Sequence, residues 1–134
     1  MLDIHAATVR LFIHVVAATI WVGGQFTLAG LVPVVRTLGP DATKAVARQF
    51  DRIAWPAFAV LVVTGIWNLA EVHVTEASTQ YQTTVLVKLA LVALTGGGAA
   101  AHRAATSKKV LAIGGIAAAV GALGALFLGV QLHT

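Results

Sequence analysis

The residues of this sequence that could bind a metal ion are its five histidines, and His14 lies well inside an apolar run. It belongs to the segment FIHVVAATIWVGGQF, residues 12–26, and precedes Trp21 by seven positions. A neutral imidazole is a good ligand for haem iron, Cu(II) and zinc, whereas Cu(I) favours sulfur. The chain has no cysteine and a single methionine, Met1. Metal chemistry here would therefore use histidine nitrogen, carboxylate or backbone oxygen.

The elements that must position these histidines are long apolar segments. Of the 134 residues, 58% are hydrophobic and 10% are charged, whereas about a quarter of the residues in a soluble domain are charged. A helix needs about 20 apolar residues to cross a bilayer core of about 30 Å. The sequence therefore predicts an all-α integral membrane four-helix bundle, with residues 1–134 as a single transmembrane domain. Its expected spans are about residues 10–35, 52–72, 84–105 and 109–132.

The basic residues predict the orientation of these spans. Seven of the nine lie in two of the loops, and Arg10 and Lys88 lie toward the other side. Because cytoplasmic loops are enriched in basic residues, we expect the chain to lie in the plasma (cytoplasmic) membrane with both termini outside and both basic loops cytoplasmic. The net charge of +4 then reflects topology and contact with anionic headgroups, and no nucleic-acid partner is expected. The seven are Arg36, Lys44, Arg48, Arg52, Arg103, Lys108 and Lys109.

The first basic loop has helical order of its own. Gly39 ends the first span, Pro40 suits the first turn of a helix, and apolar residues recur at helical spacing as far as Ile53. This segment is expected to continue into the second span as one long helix, or to bend near Pro56, where a backbone N–H is missing.

The last span carries small residues at every fourth position. Small residues let helix backbones approach closely in lipid. They predict either contact within the four-helix bundle or a homodimer through this face of the fourth helix. One row is Gly114, Ala118 and Ala122, and the other is Gly121, Ala125 and Gly129.

The expected orientation gathers four of the five histidines toward the outer leaflet. These are His5, His14, His73 and His133, whereas His102 belongs to the cytoplasmic end. The other three outer histidines also fit roles that are simpler than metal binding. His5 and His133 lie in polar terminal segments, and His73 ends a helix, where a cationic side chain interacts favourably with the helix C-terminus.

His14 lies on a helix face that mixes polar, small and aromatic residues. Ionisable groups within a membrane are costly and tend to find partners, so this face should point into the bundle. His14 either makes a structural polar contact, for instance to Thr64 or Asn68, or acts as a ligand. The face consists of Arg10, His14, Ala17, Ala18, Trp21 and Gly24 or Gln25.

Haem b is one group that these residues suit. One or two axial histidines on facing helices would hold it, and small residues such as Gly23 make room for the macrocycle. Arg10 and Lys88 are placed to meet the propionates, and Trp21 to pack against the ring. The chain has no C-x-x-C-H motif for covalent attachment of haem.

Three segments resemble the copper-resistance D (CopD) membrane family. They are HVVAATIWVGG at residues 14–24, DRIAWPAFAVLVVTGIWN at residues 51–68 with its Thr64–Gly65 step, and VLVKLALVAL at residues 85–94 with Lys88. His102–Arg103 stands where that family commonly has an Asn–Arg pair. The resemblance covers about residues 8–105 and implies copper uptake or handling. The implied outer-face copper site consists of His5, His14, His73 and His133.

The spacing of His14 and Trp21 and the step after Lys88 also resemble the HemJ-type protoporphyrinogen oxidases, four-helix membrane proteins associated with haem b. This resemblance implies that His14 is a haem ligand. Those proteins usually carry a histidine two residues before the lysine, where this chain has Leu86. The expected second axial ligand is then His73, with His133 or His5 as substitutes.

Three functions stay open at this point. The preferred hypothesis is a small haem b protein with an electron-transfer or gas-responsive role and an unidentified redox partner. Electron transfer is favoured because no nucleophile or acid–base pair for an enzymatic reaction is apparent. The alternatives are copper uptake or handling, and a structural membrane subunit without a cofactor.

Overall fold

The computed structural model describes residues 4–134, and they fold into long α-helices. No β-strand occurs among these residues. All four helices are long and apolar enough to cross a membrane, which confirms the all-α class and the four spans expected from composition. The helices are α1 (Ala6–Arg36), α2 (Pro40–Val72), α3 (Thr79–Ala104) and α4 (Lys108–Gln131).

The chain divides into two compact units, Met1–Val72 and His73–Thr134. The first contains α1 and α2, and the second contains α3 and α4. Within each unit a short turn joins the two helices, so that they run antiparallel. The expected single domain 1–134 stays a prediction.

The turn between α1 and α2 follows the sequence signals. Gly39 adopts a φ of 109°, a left-handed conformation that favours glycine, and α2 begins at Pro40. The helix then continues without interruption through Pro56 to Val72. The basic loop segment and the second span therefore form one long helix, which is the first of the two expected alternatives.

Helix α1 contains a turn of π-helix at Thr19–Gly23. A π-turn holds one residue more than an α-turn, is rare, and is frequent at functional sites. Trp21 and Val22 are buried within it, whereas Gly23 is exposed. The sequence did not predict this turn.

Helices α3 and α4 pack through small residues. A Cβ at Gly98 would lie 2.6 Å from the backbone nitrogen of Ala118 and 2.8 Å from the carbonyl oxygen of Gly114. The two backbones are therefore in direct contact, as small residues allow in lipid. The small-residue row of α4 thus makes the intrachain contact that was one of its two expected roles, and the homodimer stays a prediction.

A side-chain hydrogen bond joins the same two helices. The Thr95 hydroxyl is buried and donates to the carbonyl oxygen of Ala118 at 2.7 Å. Hydrogen bonds between membrane helices contribute on average about 0.6 kcal/mol, and up to about 1.7 kcal/mol.

Replacing Thr95 by valine should lower the free energy of unfolding by about 1 kcal/mol, because the isosteric side chain cannot donate this hydrogen bond. The measurement is equilibrium unfolding of the detergent-solubilised protein in mixed micelles. Thr83→Val is the matched control, since the exposed Thr83 hydroxyl bonds to the carbonyl of Thr79 in its own helix. Equal stability of the two variants would contradict the role of the Thr95 bond.

Large apolar side chains are exposed along all four helices. Phe12 is 66% exposed, Ile66 60% and Phe127 70%. Such surfaces would drive aggregation in water, whereas lipid chains solvate them at no cost. The exposed faces therefore fit a chain whose surroundings are the hydrocarbon core of a bilayer.

Candidate functional site

His14 forms a hydrogen bond with α2 from within α1. Its Nδ1 lies 2.7 Å from the Thr64 hydroxyl. That hydroxyl has one proton, which it donates to a backbone carbonyl of its own helix turn, Val60 at 2.7 Å or Leu61 at 3.2 Å. While it does so, it accepts a hydrogen bond from His14, and Nδ1 then carries the imidazole proton. In this tautomer the lone pair of a neutral ring lies on Nε2, which is the atom suited to bind a metal.

The His14 ring lies against a glycine of α2. Its Cε1 atom is 3.4 Å from the position that a Cβ at Gly65 would take. Thr64 and Gly65 thus act together, one orienting the ring and the other giving it space. The contact that sequence reasoning offered between His14 and Thr64 is present.

Arg10 lies one helical turn from His14 and also contacts α2. Its Nε donates to the Asn68 side-chain oxygen at 2.6 Å, and its guanidinium lies 5.5 Å from the centre of the Trp67 ring. A longer ion pair of 3.8 Å reaches Glu71, which also accepts a hydrogen bond from the Trp67 indole. Asn68 therefore binds Arg10 and orients it, a pairing that the sequence did not predict.

Trp21 is buried in an aromatic cluster. Its ring centre lies 4.4 Å from that of Phe58 and 5.4 Å from that of Trp55. Edge-to-face and tilted arrangements of this kind stabilise beyond the area they bury. The cluster packs the π-turn of α1 against α2. The expected packing of Trp21 against a macrocycle stays a prediction.

Lys88, the second residue predicted to meet the haem propionates, lies in the second unit. Lys88 is half-buried, and its amino group is 3.1 Å from the position that a Cβ at Gly129 would take. Gly129 belongs to the last turn of α4, where the carbonyl groups of a helix end attract a cation. Lys88 therefore lies close to the C-terminal end of α4, and its role toward a haem propionate stays a prediction.

The remaining histidines are all exposed. His73 follows α2 and adopts a left-handed conformation with φ of 49°, and His5 and His133 flank α1 and α4. The Nδ1 atom of His102 donates to the Leu111 carbonyl at 2.7 Å, which joins α3 to α4. Among residues 4–134, no group of three or more His, Cys, Asp or Glu side chains is arranged to hold a metal ion.

The roles predicted for His73, His5 and His133 as additional ligands stay predictions. His14, Arg10 and Trp21 belong to the first unit, and they lie on the face of α1 that contacts α2. His73, Lys88 and His133 belong to the second unit. Among the described residues, His14 and His102 have a hydrogen-bonded imidazole, and His14 is the half-buried one.

A protein-family model matches more than half of the chain. The family model described as copper resistance protein D, CopD, matches residues 44–130. The match includes Thr64, Gly65 and Lys88, extends through most of α4, and begins after the helix that carries His14. Searches of curated proteins and of solved structures gave no significant match.

Proposed function

Since the chain belongs to the copper resistance protein D family and carries four membrane-spanning helices, we propose that it takes up or handles copper in the membrane, with His14 as a ligand. The family links this membrane protein to copper. Our additions are His14 as the ligand and the uptake of copper through the membrane.

The orientation of His14 is the observation that carries this proposal. Histidines that bind metals almost always donate their other ring N–H to an oxygen, which selects the tautomer and fixes the ring. The Thr64 hydroxyl is such an oxygen, 2.7 Å from Nδ1. With its proton on Nδ1, His14 has the support that a metal-binding imidazole requires.

The ligand set favours Cu(II) over Cu(I). Imidazole and oxygen ligands suit Cu(II), and the sulfur ligands that Cu(I) prefers are almost absent from the chain. One imidazole supplies one ligand, so water or other histidines must complete the site. In the proposed orientation, with termini outside and basic loops cytoplasmic, His5 of the same unit is exposed on the side that meets incoming copper.

Equilibrium dialysis of the purified, metal-free protein against Cu(II) tests the proposal. We expect saturable binding with a stoichiometry near one, and metal analysis of the protein as isolated should show copper. Binding that rises linearly without saturation, together with a copper-free isolate, would contradict the proposal.

Haem b is the second candidate, and one observation favours it. A single imidazole is a sufficient protein ligand for a haem iron, and His14 provides it without a three-ligand group. When bound, the haem would supply one-electron or gas-binding chemistry. The fit for the propionates is poorer, because the Arg10 guanidinium already interacts with Asn68, Trp67 and Glu71.

An absorption spectrum separates the two candidates. The detergent-purified protein would be recorded oxidised and then reduced with dithionite, with metal analysis on the same sample. A Soret band that shifts on reduction, with sharp α and β bands, would establish a b-type haem. A colourless protein that binds Cu(II) would establish copper.

Replacing Thr64 by valine should weaken copper binding about tenfold, because loss of an orienting partner typically costs 10- to 100-fold in metal affinity. Valine has the shape of threonine but cannot accept the His14 proton. Thr64→Ser is the matched control, since it keeps the hydroxyl and should bind copper like the unaltered chain. Equal dissociation constants for the valine and serine variants in equilibrium dialysis would exclude this orienting role.

A further inference from the structure

Arg10 and Asn68 form a second polar contact between α1 and α2, one helical turn from the hydrogen bond of His14. Arg10 precedes His14 by four residues on α1. Asn68 follows Thr64 by four residues on α2. Because the two helices run antiparallel, both pairs belong to the same register of α1 against α2. The Arg10–Asn68 distance of 2.6 Å is as short as the 2.7 Å of the His14 contact.

The Arg10 guanidinium has further partners besides Asn68. It lies 5.5 Å from the centre of the Trp67 ring, and its Nη1 is 3.8 Å from the Glu71 carboxylate. The Arg10 side chain is only 14% exposed, so little water can take the place of these partners. A hydrogen bond from a charged donor is stronger than one between neutral groups. The Arg10 contacts therefore resist sliding of α1 along α2.

The orientation of the His14 ring depends on the same register. A shift of one residue moves α1 by about 1.5 Å along its axis, which exceeds the variation that hydrogen-bond lengths allow. The Thr64 hydroxyl also bonds to backbone carbonyls of its own helix, so it keeps a partner when the imidazole moves away. The hydrogen bond of His14 is therefore a weaker constraint on the register than the charged contact one turn away.

We infer that Arg10 is a positioning residue for His14, because its hydrogen bond to Asn68 holds α1 and α2 in the register that the imidazole requires. This inference rests on the proposed function, in which His14 binds copper. Arg10 itself does not contact the metal ion in this arrangement. It acts only through the position of the ring.

The planar guanidinium distinguishes this role from an effect of charge. Its Nε binds Asn68 while a terminal nitrogen faces Glu71, whereas lysine carries all of its donors on one nitrogen. Arg10→Lys therefore keeps the charge but loses the fork of donors, and Arg10→Gln loses both. On α2, Asn68→Asp keeps the acceptor oxygen, and Asn68→Leu removes it.

Two readouts on the full detergent-solubilised chain test the inference. Equilibrium dialysis gives the dissociation constant for Cu(II). Nitrogen-15 NMR of the histidine-labelled, metal-free protein, at a pH at which the ring is neutral, gives the fraction of His14 with its proton on Nδ1. The His14→Gln spectrum identifies the His14 signals. Phe58→Leu is the matched control, since it trims the 4.4 Å contact with Trp21 and weakens α1–α2 packing about two turns from His14.

We expect Asn68→Leu, Arg10→Lys and Arg10→Gln to weaken Cu(II) binding about fivefold, which is less than the 10- to 100-fold that loss of a direct partner costs. The same three variants should lower the fraction of His14 with its proton on Nδ1. Asn68→Asp should match the unaltered chain in both readouts. Phe58→Leu should lower the unfolding midpoint and leave both readouts unchanged.

Unchanged Cu(II) binding and an unchanged His14 tautomer in Asn68→Leu would overturn the inference. An Arg10→Lys protein that behaves like the unaltered chain would also overturn it, because charge would then be sufficient. Equal loss of Cu(II) binding in Phe58→Leu would do the same, since any loss of packing would then have this effect. An unaltered chain that does not bind Cu(II) would overturn the proposed function instead, and the NMR readout would still decide whether Arg10 positions the ring.

Discussion

Replacing His14 by alanine is expected to weaken saturable Cu(II) binding by more than about a hundredfold, because it removes the ligand itself, whereas loss of a supporting partner alone costs 10- to 100-fold. Equilibrium dialysis of the purified variant measures the effect. If the protein carries haem b instead, the same substitution should abolish the Soret band.

Two further variants keep this test decisive. His14→Gln retains a polar side chain opposite Thr64, so it should fold like the unaltered chain and still fail to bind. His102→Ala removes an exposed imidazole from the second unit and should bind copper normally. A His14→Ala protein that keeps its full copper or haem content would show that His14 is a polar packing residue.

Replacing Gly98 by valine is expected to destabilise the second unit by more than about 3 kcal/mol. A Cβ there would lie 2.6 Å from the Ala118 nitrogen and 2.8 Å from the Gly114 oxygen, and both are backbone atoms. Backbone cannot rotate away as a side chain can, so α3 and α4 would have to separate. Overpacking of this kind costs about 1–3 kcal/mol even where neighbours can adjust.

The adjacent glycine provides the control for that variant. A Cβ at Gly97 would have nothing within 4 Å, so Gly97→Val changes helix propensity by the same amount without a contact. Unfolding in mixed micelles should show the Gly98 variant far less stable than the Gly97 variant. Similar stability of the two would mean that α3 and α4 do not pack as closely as the structure shows.

The four helices follow from the sequence because hydropathy and length alone define a membrane span. The start of α2 at Pro40 also follows, since Gly39 and Pro40 are strong local signals. The π-turn at Thr19–Gly23 could not be foreseen, because its residues are as compatible with an α-turn. The division into two units depends on tertiary contacts that the expected spans do not define.

The candidate site was predictable only in part. Helical spacing placed Arg10 and His14 on one inward face, and Thr64 was a suitable partner for His14. The choice between Thr64 and Asn68 required the structure, in which Asn68 binds Arg10 instead. The preference for haem b over copper finds no support in the family match.

The π-turn also determines where the first helix can change its length. The π-turn holds one residue more than an α-helical turn, so it corresponds to a one-residue insertion that changes the helix only at this turn. Deleting one residue within Thr19–Gly23 would convert the turn to ordinary α-helix and leave the segments on either side in place. A deletion between His14 and Thr19 would instead rotate His14 by about 100° relative to the rest of the helix and carry it away from Thr64. A one-residue deletion between His14 and Gly23 is therefore tolerated best within the π-turn, close to Trp21.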